Sequence, residues 1–194
     1  MKPNPRYTRV TDVLYPFSGL QYIDGVVLEN AALRGTRVHA ACEAIVSGEG
    51  AWDLDDVTKG YVQSFETWWG DGRKVASIEQ RFHCDELMIT GQVDLILETD
   101  HGHTILDLKT SQRPSKTWPL QGAAYAYLAR ANGYNVTAIQ FLQLMRSGDD
   151  PIIHEYSDDL DLFLKTLTVY RYFFKSGGVK DVRCEPLDPS RLGR

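Results

Sequence analysis

The part of the sequence that most restricts the fold lies between residues 74 and 110, where three consecutive segments have the residue pattern of β-strands. The segments are residues 75–82, 88–98 and 104–110, and turn-forming residues separate them. Short turns between consecutive strands favour antiparallel pairing. The sequence therefore predicts an antiparallel meander of three strands in the middle of the chain.

Helical patterns are found on both sides of this meander. At residues 55–70, apolar residues recur at the spacing of one helix face, namely Val57, Tyr61, Phe65 and Trp68. Thr36 is the predicted N-cap of an earlier helix at residues 37–46. Further helices are predicted at residues 116–130 and 160–174, and further strands at 136–145 and 152–156.

This order of elements predicts an α/β (α+β) fold in which a mixed central β-sheet is flanked by helices. A chain of 194 residues is long enough for one domain and short for two. We therefore expect a single domain over residues 1–194, with a helical N-terminal part at 1–72, core sheet and helices at 73–175, and a C-terminal tail at 176–194.

The composition disfavours several classes of protein. No apolar run approaches the ~20 residues that span a bilayer, and polar residues follow the basic N-terminus where a secretory signal would be apolar. We therefore expect a cytoplasmic protein without membrane contact. The three cysteines form no CxxC pair, which disfavours a disulfide scaffold, a zinc finger and an iron–sulfur site. The net charge of −5 means that nucleic-acid binding needs a local basic patch or bound cations.

Three charged residues, Asp94, Asp107 and Lys109, lie between apolar residues in the second and third strand segments. Asp107 and Lys109 share one face of their strand because side chains alternate, and Asp94 lies in the preceding strand. Buried carboxylates must be paired or must coordinate a metal, and two carboxylates are typical ligands of Mg²⁺ or Mn²⁺. A solvated polar face with a local ion pair is the alternative interpretation.

Four short motifs occur in a fixed order along the chain. GTxxH is at residues 35–39, GxxD at 91–94, DxK at 107–109 and QxxxY at 121–125. In order and spacing these motifs resemble the PD-(D/E)XK nuclease superfamily, in particular its RecB-like exonuclease branch. The resemblance implies a restriction-endonuclease-like core.

The resemblance also implies roles for individual residues and a cofactor. Asp94 and Asp107 would bind the catalytic metal, His39 would help to hold it, and Lys109 would act on the attacking water. The implied cofactor is one or two Mg²⁺ or Mn²⁺ ions, without an iron–sulfur cluster. The remaining implied catalytic residues, which would position Lys109 or the DNA backbone, are Gln121 and Tyr125.

Alternatives remain open for the supporting residues. His39 could be a core histidine, Gln121 could cap a helix or face solvent, and Tyr125 could be a core residue. Glu43, one helical turn from His39, could orient its ring or bind the metal. Glu79 could be a further metal ligand or an exposed strand residue.

The resemblance implies a metal-dependent DNA nuclease, an exonuclease in recombination, repair or phage DNA processing within a bacterial or phage-infected cell. Its partners would be single-stranded DNA or duplex ends, and a recombination or single-strand-annealing protein. A catalytically inactive nuclease-like module that binds DNA or acts as a scaffold is the main alternative, and a hydrolase of small phosphates is another. No helicase P-loop is found, which implies a stand-alone nuclease.

Basic and aromatic residues near the motifs are candidates for DNA contacts. The basic candidates are Arg34, Arg37, Arg113, Lys116 and Arg130. The aromatic candidates, which could stack on bases or pack in the core, are Trp118, Tyr125 and Tyr127.

Overall fold

The computed structural model describes residues 7–50, 54–70 and 72–174. In chain order, the elements are β1 (Thr8–Arg9), α1 (Val10–Leu14), α2 (Gly25–Val46), α3 (Asp56–Trp69), β2 (Lys74–Cys84), β3 (Ile89–Thr99), β4 (Gly102–Lys109), α4 (Trp118–Ala131), β5 (Val136–Gln143), β6 (Ile152–Glu155) and α5 (Leu160–Phe174). Two 3₁₀ turns, Tyr15–Phe17 and Leu20–Tyr22, connect α1 to α2.

The predicted meander forms one side of a six-stranded mixed sheet. β2 and β4 both pair with β3 in antiparallel orientation. β5 pairs with β4 in parallel orientation after the chain crosses over through α4, and β6 pairs antiparallel with β5. The short β1 runs parallel to β3 at Ile89 and Thr90. Along this edge, the beginning of β3 therefore pairs with β1, and its end, from Leu95 to Thr99, pairs with β4.

Helices cover both faces of the sheet. On one face, α1, α4 and α5 pack on the strands through residues such as Val13, Leu128 and Phe163. On the other face, α2 and α3 contribute Val38 and Phe65 to a second core. The predicted α/β fold with a mixed sheet between helices is therefore confirmed.

The N-terminal part differs from the prediction at two points. α2 begins at Gly25, because the Asp24 side chain accepts hydrogen bonds from the N–H groups of Val26 and Val27 at 2.9 and 3.3 Å. Thr36 was wrongly predicted as a cap: it lies within α2, and its hydroxyl donates to Ala32 O at 3.1 Å. The part predicted as helical also contains β1, whose two residues are too few to show an alternating pattern.

Other expectations concern the C-terminus and membranes. The predicted tail and Cys184 lie outside the described residues. Within the described part of the chain, none of the helices is long and apolar enough to cross a membrane.

Candidate active site

Asp94 and Asp107 lie where the pairing between β3 and β4 stops. The last paired residues are Leu95 and Leu106, so the two aspartates occupy the next position on each strand. Asp94 Oδ2 accepts a hydrogen bond from the backbone N–H of Leu108 at 2.7 Å. This side-chain acceptor takes the place of a β3 carbonyl oxygen where the two strands diverge. Asp94 and Asp107 are 8% and 2% exposed, so both carboxyl groups lie inside the protein.

His39 reaches the same place from α2. Its Nε2 atom lies 3.1 Å from the carbonyl oxygen of Leu108, and its Nδ1 atom lies 3.3 Å from Asp94 Oδ1 and 3.7 Å from Glu79 Oε1. A carbonyl oxygen only accepts hydrogen bonds, so Nε2 carries a proton. The nitrogen of the neutral ring that remains available to a metal is therefore Nδ1.

Glu79 enters the cluster from β2. Its backbone has a φ of +47°, an uncommon conformation for a glutamate that often marks functional sites. The Glu79 Oε2 atom accepts a hydrogen bond from Gln92 Nε2 at 2.5 Å. Its side chain is 21% exposed, so the alternative that Glu79 is simply an exposed strand residue is wrong.

His39, Glu79 and Asp94 form a group that could hold a metal ion, since one ligand atom from each lies within 4.8 Å of the others. One imidazole nitrogen and two carboxylate oxygens are suitable donors for a divalent cation. Glu43 is exposed and lines a groove of about 380 Å³ together with His39 and Glu79.

Asp107 does not belong to the group formed by His39, Glu79 and Asp94, so its predicted metal binding stays a prediction. Its buried Oδ2 atom accepts no well-aligned hydrogen bond from a described residue.

The second half of the site is a chain of polar contacts from Asp107 to Tyr125. Lys109 Nζ lies 2.6 Å from Asp107 Oδ2 and donates a hydrogen bond to Gln121 Oε1 at 3.1 Å. Gln121 Nε2 donates to Asp107 Oδ1 at 2.9 Å and to the Tyr125 hydroxyl at 3.2 Å. Gln121 therefore joins Asp107, Lys109 and Tyr125, and the alternative that it faces solvent is wrong.

The buried charges shift the pKa values of one another. Burial raises the pKa of Asp107 to about 6, against the effect of the Lys109 ammonium. Burial also acts to raise the pKa of Asp94, but His39 and Lys109 outweigh it and lower that pKa below 3.8. Burial acts to lower the pKa of His39, yet Asp94 and Glu79 raise it well above 6.5. His39 and Asp94 therefore each favour the charged form of the other.

The structure separates the candidate DNA contacts into two sets. Arg113 and Lys116 are exposed on the loop between β4 and α4. Arg37 pairs with Asp55 at 2.6 Å, and Arg130 pairs with Asp158. Unlike these two arginines, Arg113 and Lys116 form no ion pair within the described residues.

The other candidates are more buried. Arg34 is partly buried, with its guanidinium 5.7 Å from the centre of the Tyr61 ring. Trp118 and Tyr125 are each 4% exposed. Of the two alternatives, base stacking or packing in the core, the second therefore applies to both rings. Tyr127 is partly buried against the same core.

Gln92 is a site residue that the sequence analysis missed. It donates to Glu79 and accepts a hydrogen bond from Arg81, so it orients the Glu79 carboxylate. The available signal was a polar residue between Gly91 and Asp94 of the GxxD motif, in the middle of a predicted strand.

A comparison of the sequence with models of known protein families found a match. The sequence model of the PD-(D/E)XK nuclease superfamily matches residues 49–173, well over half of the chain. The matched range contains Asp94, Asp107 and Lys109 but not His39. A search of curated proteins found no significant match.

Proposed function

The chain belongs to the PD-(D/E)XK nuclease superfamily, and from this premise we propose that it is a divalent-metal-dependent deoxyribonuclease that acts as an exonuclease of the RecB-like branch. Membership of the superfamily implies nuclease activity on a nucleic acid. One observation carries the proposal: His39, Glu79 and Asp94, which could together hold a metal ion, lie beside the Asp107–Lys109 pair, since Asp94 and Asp107 occupy matching positions at the end of the β3–β4 pairing.

Lys109 is the residue proposed to act at the reacting phosphate. Its ammonium group is held by Asp107 and Gln121, and it lies 5.1 Å from the centre of the Phe141 ring. A fixed positive charge in such a partly apolar setting stabilises the negative charge that develops on a phosphate, and it can orient the attacking water. When bound, the divalent ion would supply Lewis acidity toward a phosphate oxygen and lower the pKa of water.

The donor set favours Mn²⁺ over Mg²⁺ in binding strength. Carboxylate oxygens suit both ions, whereas imidazole nitrogen binds transition metals more readily. Mg²⁺ retains several waters and takes one or two carboxylates, which the site also offers. We therefore expect activity with either ion and tighter binding of Mn²⁺.

The exonuclease and RecB-like parts of the proposal rest on the motifs. Their support from this chain is that the QxxxY residues contact the DxK residues directly, through Gln121. A setting in recombination, repair or phage DNA processing belongs to the same proposal.

The test is degradation of DNA by the purified protein with Mg²⁺, Mn²⁺ or EDTA. The substrates are end-labelled linear single strands, linear duplexes and covalently closed circles. The Asp107→Asn variant is compared with Asp100→Asn, whose side chain is exposed in the turn between β3 and β4.

We expect metal-dependent loss of linear DNA with the wild type and Asp100→Asn, intact circles, and no loss with Asp107→Asn. Cleavage of circles would overturn the exonuclease part of the proposal. A folded wild type that cleaves none of the substrates would overturn the nuclease proposal and favour the inactive DNA-binding or scaffold module.

A further inference from the structure

A second groove is lined in part by Lys109. It has a volume of about 860 Å³ and lies between residues 11–23 and the loop at residues 111–117. Lys109 and Gln121 line this groove and also belong to the candidate active site. The groove is therefore continuous with the place where we propose that the reaction occurs.

The charge of the groove is opposite to that of the chain. The whole sequence has 26 acidic residues against 21 lysines and arginines, yet among the described residues that line the groove none is acidic and three are basic, Lys109, Arg113 and Lys116. Arg113 and Lys116 are exposed and form no ion pair with a described residue. Unpaired cations along a groove complement the phosphates of a nucleic acid.

The wall opposite the loop is aromatic and aliphatic. Tyr15 and Phe17 are 47% and 43% exposed, and Leu20 and Ile23 beside them are 38% and 44% exposed. A duplex keeps its bases stacked inside and presents phosphates outward, so it gains little from such a wall. Unpaired bases, in contrast, stack on exposed aromatic rings.

We infer that this groove binds a single strand of DNA, with its phosphates on Arg113 and Lys116 and its bases on Tyr15 and Phe17, and leads that strand to Lys109. The inference rests on the proposed function, because it names the form of DNA that the same site receives. The rings proposed to stack on the bases, Tyr15 and Phe17, lie in the segment between α1 and α2.

Two double variants test the groove, each with a matched control. Arg113→Ala with Lys116→Ala is compared with Lys59→Ala with Lys165→Ala, which removes two exposed charges on α3 and α5. Tyr15→Ala with Phe17→Ala is compared with Tyr172→Ala with Phe173→Ala, which removes two exposed rings on α5. All four are surface changes, and circular dichroism checks that each variant is folded.

Binding is measured by fluorescence anisotropy in EDTA, so that no hydrolysis occurs, with an oligothymidine of about 20 nucleotides and a blunt duplex of equal length. We expect the wild type to bind the single strand at least about tenfold more tightly than the duplex. The basic double variant should weaken single-strand binding about tenfold and reduce the salt slope by about 1.4, the value for two phosphate contacts. The aromatic double variant should weaken binding about tenfold without changing that slope.

Equal binding of duplex and single strand by the wild type would overturn the inference, as would groove variants that bind like their controls. Cleavage assays on the same proteins separate this failure from that of the proposed function. If the wild type cleaves DNA and the groove variants bind and cleave the single strand normally, only the groove is wrong. If the wild type never cleaves DNA while the groove variants lose single-strand binding, the groove is supported and the proposed function is wrong.

Discussion

His39 Nε2 lies 3.1 Å from the carbonyl oxygen of Leu108, so the backbone of β4 determines which ring nitrogen of His39 faces the carboxylates. The next N–H along the same strand edge, that of Leu108 itself, is bound by Asp94 Oδ2 at 2.7 Å. One peptide segment therefore orients both a nitrogen and a carboxylate of the proposed metal centre. Such outer contacts are known to tune metal affinity.

Removal of His39 or Glu79 as a ligand should weaken metal binding. We expect His39→Ala and Glu79→Gln each to lower the affinity for Mn²⁺ by at least about tenfold, measured by isothermal titration calorimetry. Glu98→Gln, an exposed residue of the same sheet, should bind Mn²⁺ like the wild type. Unchanged affinity in both site variants would exclude this group as the metal centre.

Replacement of Lys109 should slow the cleavage step itself. Lys109→Met keeps the length of the side chain but removes the charge beside Asp107, so the cleavage rate should fall by about 10²- to 10⁴-fold. Lys59→Met, on the exposed face of α3, is the control for the rate. Single-turnover kinetics that show a normal rate for Lys109→Met would contradict the proposed role.

Gly91 should be required for the position of Tyr125. A Cβ atom at Gly91 would lie 2.7 Å from Tyr125 Cε1 and 3.0 Å from Leu128 Cδ1, so Gly91→Ala should destabilise the protein by about 1–3 kcal/mol through overpacking. Gly25→Ala is the control, because a Cβ there meets no atom within 4 Å. Urea unfolding measures both, and equal stability of the two variants would contradict this packing argument.

Asp55 should make stability depend on pH at the acidic end. It caps α3 through the N–H of Thr58 at 2.7 Å and pairs with Arg37, and these contacts lower the pKa of its carboxyl from 3.8 to about 2. Because the folded-state pKa is lowered, the stabilisation is present above the unfolded value and is lost as the pH falls toward 2.

Thermal unfolding of wild type and Asp55→Ala checks this dependence. The difference in Tm should be largest near neutral pH and should shrink below about pH 4. Asp56→Ala, which removes a neighbouring acid of the first turn of α3, should show a smaller difference. A difference in Tm that stays constant from neutral to acidic pH would show that the Asp55 charge is not responsible.

The sequence predicts the centre of the fold well because its patterns are local. Alternation over residues 88–98 and 104–110 is sufficient to place Asp94 and Asp107 on neighbouring strands, and the i, i+4 spacing places Gln121 and Tyr125 on one helix face. In the structure, β3 and β4 are indeed neighbours, and Gln121 donates a hydrogen bond to the Tyr125 hydroxyl.

The remaining features depend on contacts between residues far apart in the chain. The position of Glu79 beside His39 follows from the pairing of β2 with β3 and from a left-handed backbone, neither of which a local pattern contains. Whether Trp118 faces solvent or the core depends on Phe141, whose ring centre lies 5.6 Å away. The exposed rings of Tyr15 and Phe17 likewise line a groove only because the fold brings the loop at residues 111–117 close to them.

Anomalous X-ray scattering from crystals soaked in Mn²⁺ shows directly where the metal binds. We predict a peak of anomalous density within coordination distance of His39 Nδ1, Glu79 and Asp94, and loss of that peak in Asp94→Asn crystals. A peak at another place in the protein, or none at Mn²⁺ concentrations that support DNA cleavage, would contradict the account.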